Sequence, residues 1–122
     1  MSLTHEVDIR NGLADYVVDQ LDGGDLIFMT TGEATEVVKL ALATPAFGAA
    51  SSGTATANAI TTGTSAVGGT IATFRFSNSS AARKFGGVAS LNGGGGDIEL
   101  SSLALSAGDG VSMSFFSYSS SV

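Results

Sequence analysis

The chain has 122 residues, a net charge of −6 and a pI near 4.3, with five Lys and Arg against eleven Asp and Glu. Phosphate backbones are held by clustered cations, so this balance argues against nucleic acid as a partner. With no cysteine there is no disulfide framework, thiolate metal site or thiol nucleophile. A chain of this length is expected to form one domain, residues 1–122, burying about two-thirds of its unfolded surface in a single core. The start MSLTHEVDIR lacks the basic residues and apolar run of a secretory signal, and no run of about 18 apolar residues follows. A soluble chain with no membrane partner is the expectation.

The first element is expected to be a helix over residues 4–22. Ser2 or Thr4 is available to cap it, Ile9, Leu13, Val17 and Leu21 recur every fourth residue with Val18 beside them, and Asp22-Gly23-Gly24 supplies a glycine stop. The opposite face carries Asp8, Asn11, Asp15 and Asp19. The apolar stripe must lie against the body of the domain or a neighbouring subunit, and core packing is the default.

After Gly24 the hydrophobic period becomes two. DLIFMT (25–30) and EVVKLAL (36–42) read as strands, the second ending before Pro45. TIATFRFS (70–77) alternates Ala72, Phe74 and Phe76 with Thr73, Arg75 and Ser77, the pattern of a half-buried strand. ARKFGGVAS, DIELSSLAL and GVSMSFFSYS give three further candidates, separated by NGGGG and SAGDG. Six to eight short strands with Gly-rich turns, a β body over about 25–119 behind a single N-terminal helix, predict a mainly β fold: a β-sandwich or jelly-roll-like domain.

Residues 53–70, GTATANAITTGTSAVGGT, hold no charged side chain. Thr54, Thr56 and Asn58 alternate with Ala55, Ala57 and Ala59, which predicts a strand over 53–60 with a small apolar face and a hydroxyl-and-amide face, followed by an extended loop over 61–69. Such a strand carries little hydrophobic drive, so an edge position or a place under a partner is expected. The charges flank it unevenly. Residues 1–36 hold eight acids against Arg10, while residues 37–96 hold Lys39, Arg75, Arg83 and Lys84 and no acid. That asymmetry permits head-to-tail steering between copies; a solvated acidic helix face is the simpler reading.

No catalytic constellation emerges, and no cofactor or metal is expected. His5 is the single histidine, so a Ser-His-Asp relay or a His-rich metal site lacks supporting groups. Asp97 and Glu99 share a strand face at i, i+2, an arrangement commoner at solvated strands than in glycosidase or calcium sites. Asp22-Gly-Gly-Asp25 lacks the ligand count of a calcium loop, and NGGGG is not followed by the Lys-Ser or Lys-Thr of a phosphate loop. Asn78-Ser79-Ser80 matches a glycosylation tripeptide that is idle without a secretory route.

The order of an amphipathic helix closed by DGGDLIFMTTG, then PAFGAASSGTATANAITTGTSAVGGTIATFRFSNSS, then IELSSLALSAGDGVSMSFFSYS resembles small virion proteins of tailed bacteriophages. The residues carrying the resemblance are Ala46, Phe47, Gly48, Ala57, Asn58, Ala59, Ile60, Phe74, Arg75, Gly108, Asp109 and Val111. Around TTGEATEV the chain departs from the group, whose members carry a longer, proline-bearing segment there. The resemblance implies a capsid decoration or cement protein: non-enzymatic, made in the host cytoplasm, and located in the virion on the capsid surface. It also implies a homo-oligomer, a trimer, bound to the major capsid protein. The alternative it leaves open is a tail, baseplate or head-fibre module that contacts another virion protein or a host glycan. The interface candidates are Phe47, Thr54, Thr56, Ala57, Asn58 and Thr64. Phe47 is expected either to anchor the core, the favoured reading, or to wedge into a neighbour.

Overall fold

A computed structural model describes residues 6–65, 67–111 and 116–119. They form one helix, α1 (Val7–Asp19), a short 3-10 turn (Thr31–Glu33), and eleven short strands. The first six strands are β1 (Asp25–Met29), β2 (Glu36–Ala41), β3 (Thr54–Thr56), β4 (Gly63–Thr64), β5 (Gly69–Thr70) and β6 (Thr73–Ser77). The other five are β7 (Arg83–Leu91), β8 (Ile98–Leu100), β9 (Ala104–Leu105), β10 (Gly110–Val111) and β11 (Ser117–Ser119). The fold is mainly β with a single N-terminal helix.

The sequence LIFM places β1 at the centre. Leu26, Ile27, Phe28 and Met29 are all buried, so neither face of this strand can be left to water. It pairs with β2 on one side and β6 on the other, and the sheet runs β2-β1-β6-β7-β8, antiparallel except for the parallel β7–β8 pair. Register stacks Leu40, Leu26, Phe76 and Phe85 in one row, and Val38, Phe28, Phe74 and Gly87 in the next. These rows are the core face. Gly87 leaves room there: a Cβ would stand 2.5 Å from Asp97 Oδ2 and 3.0 Å from the Phe74 ring. On the other face, Lys39 and Arg75 flank buried Ile27, whose apolar surface their aliphatic stems can cover.

The sheet curls, and a second wall closes over its core face. That wall is one interrupted antiparallel ribbon in which the uncharged stretch runs against the C-terminal third. β3 pairs with β11, β4 with β10 and β5 with β9. Between and beyond these ladders the pairing continues: Ala57 N–H donates to Phe116 O at 2.8 Å, Ser65 N–H to Asp109 O at 2.8 Å, and Ile71 N–H to Leu103 O at 2.8 Å. The register steps by one residue between the first ladder and the other two. Phe116 reaches from the ribbon into the core, its ring centroid 5.0 Å from Phe76 and 6.0 Å from Phe47.

Three expectations change in detail. The strand over 53–60 is regular only at Thr54–Thr56, with an isolated bridge from Ala57 to Phe47. The loop over 61–69 contains paired residues, because main-chain bonds need no large side chain and Gly63 packs directly on the Lys39 carbonyl. DIELSSLAL divides into β8 and β9, one in each wall, and the described parts of GVSMSFFSYS hold β10 and β11. The described strands therefore outnumber the six to eight expected, since β4 and β5 form where a loop was expected and DIELSSLAL holds two strands in place of one.

The helix is also shorter than residues 4–22. It spans Val7–Asp19, with Glu6 in extended conformation before it and no side-chain cap bond. Ser2, Thr4 and His5 lie outside the described residues. The stop reads as expected: Gly23 adopts φ +70 and Gly24 N–H returns to Leu21 O at 2.8 Å.

Candidate interaction surfaces

The helix does not dock by its whole apolar stripe. Ala14, Val18 and Leu21 are buried, whereas Ile9 is 49% and Leu13 43% exposed. The physical reason lies in the loop beneath, whose backbone donors must be satisfied. Asn11 Oδ1 accepts from Gly53 N–H at 2.7 Å, Asp15 Oδ1 from Ala50 N–H at 2.8 Å, and Asp22 Oδ1 from Ala46 N–H at 2.8 Å. Leaving such donors buried without acceptors costs about 1–3 kcal/mol each, so α1 rolls until Asn11 and Asp15 face the loop. The default of core packing thus holds for Val18 and Leu21, and fails for Ile9 and Leu13.

The outward face of α1 leads into a cleft of about 380 Å³ lined by Tyr16, Val17, Gln20, Lys84, Phe85 and Tyr118. Lys84 is placed there by a register shift between Phe76 and Ser77, which puts it in the irregular step of β7 beside Phe85. Tyr118 packs on Phe85 with ring centroids 5.6 Å apart. Tyr16 stands 70% exposed at the cleft edge, and Lys84 makes no ion pair among the described residues. None of these residues was marked as a site by the sequence. The available signal was Tyr16, three residues after Leu13 and in line with it.

The six interface candidates fall into two places. Phe47 is buried at 4% exposure in the chain's own core, edge-on to Phe116. It is joined to the candidate strand by its bridge to Ala57, by Gly48 N–H donating to Thr56 O at 2.9 Å, and by Asn58 N–H donating to Ala46 O at 2.9 Å. Asn58 adds a bond from Nδ2 to Pro45 O at 2.9 Å. Thr54 is half-buried with Oγ1 2.8 Å from Ser119 Oγ, Ala57 is half-buried, and Thr56 and Asn58 are exposed. Phe47, Thr54, Thr56, Ala57 and Asn58 are therefore one local unit. Thr64 lies apart, exposed on β4 and paired with Gly110 farther along the ribbon.

The acidic pairs are spent on structure. Asp97 Oδ2 accepts from Val88 N–H at 3.1 Å, and the two Glu99 oxygens accept from Gly93 N–H at 3.1 Å and Gly95 N–H at 3.0 Å. The NGGGG turn is thus an anion-binding concavity occupied by the chain's own Glu99. Asn78 Oδ1 accepts from Ser80 and Ala82 N–H and fixes the turn between β6 and β7. Glu33 and Arg83 form a two-bond ion pair at 2.9 and 2.8 Å. The hydrogen bonds from Arg83 hold the Glu33 carboxyl below the ordinary value of 4.5, and the charges of Arg83 and Arg75 act in the same direction. Among the described residues no group of three or more His, Asp or Glu could hold a metal ion, and no helix is long and apolar enough to cross a membrane. No protein-family model, curated protein or solved structure matches the chain.

Proposed function

We propose that this chain is a non-enzymatic structural protein of a tailed bacteriophage virion, a decoration protein that binds the outer surface of the head lattice and stabilises it, with the major capsid protein as its partner. The observation that carries the reading is the outer side of the ribbon. Thr56, Asn58, Thr61, Thr62, Thr64 and Thr70 are exposed along a stretch without a charge, on a backbone already tied by pairing to the C-terminal third. A surface of this kind meets a partner without burying unpaired ions, while its hydroxyl and amide groups keep it wetted before assembly. The residues that resemble the phage group support the same reading, since Ala46, Phe47, Gly48 and Ala57 interlock with Asn58 as one framework that carries part of that surface. Contacts made by small side chains are individually weak, and many copies on a repeating lattice compensate through avidity.

The test is binding of the purified chain to capsids that lack it, with Thr64→Lys as the probe. Thr64 is exposed, so the variant should fold normally yet bind less, as an ammonium enters a charge-free seam. Ala57→Lys is a second probe, read together with its melting curve because Ala57 is half-buried. Undiminished binding by a folded Thr64→Lys variant would remove the ribbon from the interface. A low copy number in purified virions would move the protein to the tail, baseplate or head fibre.

A further inference from the structure

We propose that Asn92 is a site of spontaneous covalent modification: the fold presents it for loss of its side-chain amide through a cyclic imide, with Glu99 as the base. The chain has four asparagines, and the fold treats their side chains unequally. Asn11 Oδ1 accepts from Gly53 N–H at 2.7 Å, Asn58 Nδ2 donates to Pro45 O at 2.9 Å, and Asn78 Oδ1 accepts from Ser80 and Ala82 N–H. Asn92 is exposed, and its side chain makes no hydrogen bond among the described residues. Only its main chain is held, with N–H donating to Leu100 O at 3.0 Å. Asn11 and Asn92 both precede glycine, the residue that least obstructs attack by its own nitrogen on the side chain before it. In Asn11-Gly12 that nitrogen is spent in the ladder of α1, where ring closure would break the helix. In Asn92-Gly93 it belongs to a turn. Gly93 has φ +87, and a Cβ there would meet nothing within 4 Å, so this side of the backbone is open to water.

The proton on the attacking nitrogen already points at a carboxylate. Gly93 N–H donates to Glu99 Oε1 at 3.1 Å, and Gly95 N–H holds Glu99 Oε2 at 3.0 Å, so the group is fixed in place. Asp97, the other acid of this turn, is committed to Val88 N–H. The bond to Glu99 lies in the peptide plane, whereas attack uses electron density above that plane, so the carboxylate can take the proton as the nitrogen adds. The Gly93 nitrogen forms a bond to Asn92 Cγ. The bond from Cγ to Nδ2 breaks, and the proton collected by Glu99 passes to the departing nitrogen, which leaves as ammonia. Water then opens the imide at either carbonyl, giving aspartate or a β-linked isoaspartate at position 92. Water is the only co-reactant. Either product adds a carboxylate to a turn that already holds Glu99, and the isoaspartyl form lengthens the backbone where β7 turns towards β8. The site lies outside the uncharged ribbon, so the inference does not rest on the capsid reading.

Incubation of the full chain at neutral pH, followed by peptide mapping with mass spectrometry, provides the test. The peptide holding residue 92 should gain about one mass unit and split into two isomers, with ammonia released in equal amount. Peptides holding Asn11, Asn58 and Asn78 should stay unchanged. The same chain in denaturant is the reference, because there both Asn-Gly pairs are free and should react alike. Against that reference, folding should accelerate Asn92 and slow Asn11, each about tenfold or more. Glu99→Gln keeps an acceptor for the turn and removes the base. It should slow Asn92 about tenfold in the folded chain and leave the rate in denaturant unchanged, with a melting curve recorded alongside. An unreactive folded Asn92, equal rates at Asn92 and Asn11 in the folded chain, or a folded Glu99→Gln variant that reacts as fast as the original overturns the proposal. Should the variant fail to fold, the original chain decides: a folded rate at Asn92 no higher than the rate in denaturant overturns the proposal equally.

Discussion

The two walls of the domain reach the same core by different means. The sheet wall is made of large apolar side chains in register, Leu26, Phe28, Leu40, Phe74 and Phe76, with Phe76 touching Phe74, Phe85 and Phe116. The ribbon wall is built largely of Gly, Ala, Ser and Thr, tied by main-chain bonds and pinned at a few points by Phe116, Tyr118, Ile71 and the Ser65 hydroxyl. The contrast teaches that a segment with little hydrophobic content can still be ordered when its main chain pairs within a ribbon that is tied at a few points to a wall stabilised by burial.

Removing a sheet aromatic should produce the largest loss. Phe76 is fully buried among three aromatic rings, and Phe76→Ala should cost about 3–5 kcal/mol, read as a lower denaturation midpoint with an unchanged slope. The next change tests the joint between walls. Phe47→Ala removes the ring that Phe116 meets edge-on and should cost about 3 kcal/mol; a loss below about 1 kcal/mol would show that main-chain pairing alone holds the ribbon. Ser65 is the polar counterpart, fully buried, donating to Val37 O at 2.7 Å and accepting from Gly68 N–H at 2.8 Å. Ser65→Ala strands both partners, and about 1–3 kcal/mol should be lost, with amide exchange accelerating at Gly68 before it does in β1.

The smallest effect is electrostatic. Glu33 has a folded pKa below its ordinary 4.5, so the Glu33–Arg83 pair contributes fully above that value and its contribution fades as pH falls through the lowered one. Glu33→Gln should therefore flatten part of the acid limb of the stability curve and cost less than about 1 kcal/mol at neutral pH, because both groups are partly solvated. Equal acid sensitivity in both proteins would show that the pair contributes nothing measurable.

Strong local patterns carried through to the structure. LIFM in β1, the alternation in TFRFS and the glycine stop after Leu21 were legible because burial on one or both faces, and a left-handed residue, leave direct marks on residue type. The candidate strand was legible in its alternation, with Ala55 buried and Thr56 exposed, but its partner was not. Pairing between residues 54–70 and 104–119 rests on backbone groups that every residue owns, so composition is silent about it. The cleft was hidden for a related reason: Tyr16, Lys84 and Tyr118 are far apart in the chain and come together only through a register shift in β7.

The sequence by itself determined the class of the molecule: an acidic chain without cysteine, with one helix at the start and a body of short strands. Tertiary structure decided which side of the helix faces inward. A helical stripe records hydrophobicity alone, whereas the orientation of α1 balances Val18 and Leu21 against the acceptors that Asn11 and Asp15 supply to Gly53 and Ala50. Those backbone donors belong to a loop more than thirty residues away, and their position exists only once β2 and β3 have folded around it.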